Sequence, residues 1–69
     1  MDEEALNLST RKFLKRLGIS AQREIELGVR GQIESGGLQG TERLPARAVV
    51  TVDGLEGEIV VEGEIKLGD

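Results

Sequence analysis

The sequence contains no cysteine, no histidine, no tryptophan and no tyrosine, and only one phenylalanine in 69 residues. Without cysteine there are no disulfides, no thiolate metal ligands and no thiol nucleophile. Without histidine there is no imidazole ligand and no side chain that titrates near neutrality in its ordinary state. With one aromatic ring there is no row of stacking platforms for nucleic-acid bases. No segment approaches the ~20 apolar residues of a membrane span. The start, Met1-Asp2-Glu3-Glu4, lacks the basic and then apolar run of a secretory signal. A small secreted domain usually carries disulfides, so a cytoplasmic location without membrane attachment is the expectation.

What remains is a folded, charged chain. Apolar residues make up 38% of it, which is too rich for a disordered acidic tail. Its length allows one small domain, 1–69. The net charge of −4 is unevenly placed. Residues 11–30 carry Arg11, Lys12, Lys15, Arg16, Arg23 and Arg30 against Glu24 and Glu26. Residues 48–69 carry Asp53, Glu56, Glu58, Glu62, Glu64 and Asp69 against Lys66. Such a split steers partners.

Hydrophobic spacing predicts two helices, about 3–17 and about 21–35. With Leu6 at zero and about 100° per residue, Thr10, Phe13, Leu14 and Leu17 fall within about 100° of one another and of Leu6. Acidic residues at the start and Lys15 and Arg16 at the end suit a helix dipole. Gly18 is expected to stop the first helix, and Ser20 to cap the second. Ala21, Ile25, Val29 and Ile33 form an i, i+4 row in the second helix.

From Ala46 the period changes to two, which predicts strands over about 46–53 and 58–67. Even-numbered apolar residues of the first strand and odd-numbered ones of the second must share a face. Direct partners therefore sum to an odd number. A sum of 111 leaves a short loop at 54–57 and sets Arg47 opposite Glu64, but also Asp53 opposite Glu58. The expected fold is α+β of order ααββ: a helical hairpin packed on a C-terminal antiparallel β-hairpin. A two-stranded sheet is barely stable alone and leaves both edges open. A homodimer sharing its sheet is one arrangement that answers both needs.

Chemistry is sparsely represented. Ser9, Ser20, Ser35, Thr10, Thr41 and Thr51 have no legible activating base. Glu58, Glu62 and Glu64 fall on the exposed face of a hairpin rather than in a cleft. Asp53, Glu56 and Glu58 surround a turn without the spacing of a calcium loop. No enzyme activity, cofactor or metal is expected. Candidate partner-binding residues are the apolar side chains that fall on polar faces, with their basic neighbours: Leu8, Arg11 and Lys15 on the first helix, Arg23 and Leu27 on the second. Val49 and Val60 do the same on the outer face of the sheet. A self-associating, non-catalytic interaction module follows. The alternative is a nucleic-acid accessory protein using Arg11, Lys12, Lys15 and Arg16 on phosphates. The acidic balance of the whole chain weighs against it.

The stretch Asn7-Leu8-Ser9-Thr10-Arg11-Lys12-Phe13-Leu14-Lys15 is followed by Gly18 and by Gln22-Arg23-Glu24-Ile25-Glu26. With Leu44-Pro45-Ala46, Gly54-Leu55 and Gly63-Glu64-Ile65, it resembles a family of short bacterial proteins of unknown function. The resemblance covers nearly the whole chain. It implies a free-standing bacterial protein and brings no activity, cofactor or site residue.

Overall fold

A computed structural model describes residues 1–68. The chain divides into two units, Met1–Gly37 and Leu38–Asp69. The first is one α-helix, α1 (Glu3–Ser35). The second is a β-hairpin of β1 (Arg43–Val50) and β2 (Ile59–Lys66), joined antiparallel.

The expected helical hairpin is therefore corrected to a single 33-residue helix. Gly18 and Ser20, expected as a stop and a cap, lie inside it. The physical reason is local. A glycine in a helix interior costs about 1 kcal/mol relative to alanine. Ending the helix there would leave four N–H groups and four carbonyls without partners on either side of the break. No second helix returns along the first to repay that cost, so the hydrogen-bond ladder runs on.

The real ends are well made. Asp2 is the N-cap, and its Oδ1 accepts from the backbone N–H of Glu4 at 3.0 Å and of Ala5 at 3.1 Å. Glu3 and Glu4 then occupy the first turn, where the helix dipole favours anions. At the other end Gly36 adopts a left-handed φ of 88°. Its N–H donates to the Ile33 carbonyl at 3.2 Å, and that of Gly37 to the Gln32 carbonyl at 2.8 Å. This is a Schellman closure, which glycine makes without steric cost.

In the hairpin, Leu44 pairs with Ile65, Arg47 with Glu62, Val49 with Val60 and Val50 with Ile59. Partners sum to 109, so the parity expected from the apolar pattern is kept and the register moves by two. The connecting loop is correspondingly longer, residues 51–58. It contains a turn in which the Leu55 N–H donates to the Val52 carbonyl at 3.1 Å, with Gly54 at a φ of 98°. The shift takes Asp53 and Glu58 out of the ladder, where the other register would have set two carboxylates face to face.

Candidate interaction surfaces

Three surfaces can be built from these elements. The first is the apolar stripe of α1. Measured from Leu6 at about 100° per residue, Phe13, Leu14, Leu17, Ala21 and Ile25 stay within about 120° of arc, while Val29 and Ile33 drift beyond it. Thr10, Glu24, Gly28, Gly31, Gln32 and Ser35 fall in the same arc, so a carboxylate sits among the apolar side chains. None of these side chains is buried, and Phe13 is 51% exposed. Within its own unit the stripe has no second element to cover it. It was missed in the sequence as a binding face because two antiparallel helices would have hidden it.

The second is the polar side of the same helix, where Leu8, Arg11, Lys15, Arg23 and Leu27 were singled out. All five are exposed. One continuous helix separates Leu8 from Leu27 by about 28 Å of rise, so the apolar spot expected where two helices adjoin does not form. Ile19, 57% exposed, lies between them and carried no special signal in a segment read as a turn. Joining the helices has another consequence. Lys12, Lys15, Arg16, Arg23 and Arg30 fall along one side within about 100°. Acidic groups interrupt the row: Glu26 accepts from Arg30 at 3.4 Å and from Gln22 at 2.9 Å. The Gln22 hydrogen bond, and then Arg30, hold the Glu26 carboxyl below its usual range.

The third surface is the hairpin, whose two faces differ sharply. One carries Leu44, Ala46, Ala48 and Val50 opposite Ile65, Gly63, Val61 and Ile59, with no charge among them. The other carries Arg43, Arg47, Glu62, Glu64 and Lys66, with an Arg43–Glu64 contact at 3.9 Å. Val49 and Val60 sit at the loop end of that charged face as direct partners, each 42% exposed. Proximity on the sheet is thus realised for this pair. Their charged surroundings make a solvated ladder the simpler role.

One polar device was not legible in the sequence. Glu42, half-buried just before β1, folds its carboxylate back onto the connector. It accepts from the backbone N–H of Gln39 at 2.8 Å, Gly40 at 2.9 Å and Thr41 at 3.2 Å. The Gln39 hydrogen bond leads in holding its pKa below the usual value, against an opposing desolvation. The Glu42 carbonyl accepts from Leu67 at 2.9 Å and carries the ladder one bond beyond β1.

Among the described residues, no group of three or more carboxylates is disposed to hold a metal ion. No described helix is long and apolar enough to cross a membrane. A depression on α1 is lined by Ser9, Lys12, Phe13, Arg16, Leu17 and Ser20. It is a shallow furrow along one flank of a helix, not an enclosed pocket.

These features define a small α+β chain of one amphipathic helix and one two-stranded hairpin. The chain belongs to the family of unknown function DUF6494, whose profile matches residues 1–68. No curated protein and no solved structure matches it.

Proposed function

We propose that this chain is a non-catalytic interaction module that works by covering its open apolar faces with a protein partner. The observation that carries the reading is that no described side chain is buried, although the sequence is 38% apolar. A lone helix has no interior, and a two-stranded sheet cannot cover its own face. Apolar stripes of this kind are stabilised only when something packs against them.

Capture on immobilised chain, compared with a Phe13→Asp variant, tests the reading. The expected result is partner retained by the wild type and lost by the variant. Equal retention by both would remove the stripe from the account.

A second reading has one observation in its favour: the single helix aligns Lys12, Lys15, Arg16, Arg23 and Arg30 along one side. A nucleic-acid accessory role would use that row on phosphates. It requires binding that weakens steeply with salt. No mobility shift with DNA or RNA at low salt would dispose of it.

A further inference from the structure

We infer that the apolar stripe of α1 is the contact surface of a homodimer in which two copies of this helix lie antiparallel, crossing at Ala21. The inference rests on the interaction-module reading and names its partner as a second copy of the chain.

The first ground is size and shape. The stripe from Leu6 to Gln32 is about 40 Å long and occupies about 11 Å of the helix circumference. Two such strips remove on the order of 900 Å² from water, the size of a weak, concentration-dependent interface. A two-fold interface is self-complementary, so each residue must suit the one its mirror position meets. With the axis at Ala21, Leu17 lies level with Ile25, Leu14 with Gly28, Thr10 with Gln32 and Glu24 with Gly18, while Val29, level with Phe13, falls outside the stripe. Large meets small or apolar meets apolar, Thr10 meets Gln32, and Glu24 lies beside the Cβ-free Gly18 and within reach of the basic flank.

The second ground is the set of glycines inside the helix. A Cβ placed at Gly18, Gly28 or Gly31 would meet nothing within 4 Å. Nothing in the helix itself asks for glycine there, and each costs helix stability. The antiparallel arrangement uses all three. Each flank of one helix meets the same flank of the other. Phe13 then lies over Gly28 and Gly31 of the second copy, and Ile25 over its Gly18. Leu27 of the second copy comes level with the furrow between Phe13, Arg16 and Leu17.

The third ground is charge, which chooses the direction. A parallel pair in register would set the basic segment 11–16 beside itself and Glu24 beside Glu24. It would also stack Phe13 on Phe13 and glycine on glycine, leaving voids. The antiparallel pair sets the basic segment beside 26–31, where Glu26 and Arg30 cancel, instead of beside a second basic segment. It brings Arg16 toward Glu24 of the second copy on the same flank, and opposes the two helix dipoles.

The chain has no cysteine, so introduced thiols report cleanly. Sedimentation of the full chain over a range of concentrations should show a monomer–dimer equilibrium, and Leu17→Asp should weaken it by at least about tenfold. Under mild oxidation Ala21→Cys should cross-link to itself. Leu14→Cys mixed with Gly28→Cys should give a mixed dimer. Leu14→Cys alone should not cross-link, because its two sulfurs would be held about 20 Å apart. Helical circular dichroism of each variant checks that the helix is intact, and Ala21→Cys is the conservative case if the others lose it. A monomer at every concentration, failure of Ala21→Cys to cross-link, or cross-linking of Leu14→Cys alone would each overturn the inference. Capture of a different protein by a strictly monomeric chain would overturn it and leave the interaction-module reading standing.

Discussion

At the scale of single residues, the side chain that does most for its surroundings is Glu42. Its carboxylate gathers three backbone donors from the connector that leads into β1. Because those bonds favour the charged form, its pKa is lowered on folding. A lowered carboxyl pKa contributes stability that is present above the unfolded value, near 4.5, and is lost as pH falls through the folded value. Amide exchange at Gln39, Gly40 and Thr41 is therefore expected to accelerate as pH drops below about 4.5, after correction for intrinsic rates. Glu42→Gln should abolish that step. A step that persists in the variant would assign it to another group. On the charged face of the hairpin, Val60→Asp would add a carboxylate to a ladder that already holds Glu62 and Glu64. The expected cost is about 1 kcal/mol of hairpin stability, measured by thermal unfolding. Val60→Thr should be nearly neutral.

At the scale of elements, Ser20 separates one helix from two. As the N-cap of a second helix its hydroxyl would hold an orphan N–H, and Ser20→Ala would cost about 1 kcal/mol. Inside a continuous helix the same change should be stabilising by about 0.5 kcal/mol, read as a higher melting temperature of the helical signal. Gly36 gives the opposite outcome. With its φ at 88°, Gly36→Ala should lower helix stability by about 1 kcal/mol.

These two residues also mark what the sequence could disclose. The alternation of Ala46, Ala48, Val50 and Val52 named the inner face of the first strand, which the structure begins earlier, at Arg43, and ends at Val50, and parity confined the register to odd sums. The alternation could not choose between 109 and 111, because both keep every apolar residue on the same side. The choice rests on the loop and on keeping Asp53 away from Glu58. The amphipathic spacing on either side of Gly18 was legible as helix. Its continuity was not, because a glycine followed by serine suits both a turn and an unbroken ladder. Only the absence of a second packed helix decides between them. The candidate residues followed suit. Val49 and Val60 meet as neighbours, whereas Leu8 and Leu27 were brought together only by a bend that the helix does not make.

At the scale of the whole molecule, each unit presents an apolar face that it cannot cover alone. Any partner that binds the folded form and not the unfolded chain stabilises it by mass action. The melting temperature of the full chain is therefore expected to rise with protein concentration, and to lose that dependence in Leu17→Asp. A melting temperature independent of concentration in the wild type would count against self-association.

The account stands on a single unbroken helix with its apolar side open. Spin labels at Glu4→Cys and Glu34→Cys, diluted into excess unlabelled chain so that only distances within one copy are read, measure this directly. A continuous helix places the two backbone positions about 45 Å apart. A separation of about 10 Å, as two helices folded back on each other would give, would contradict the helix and every surface built upon it.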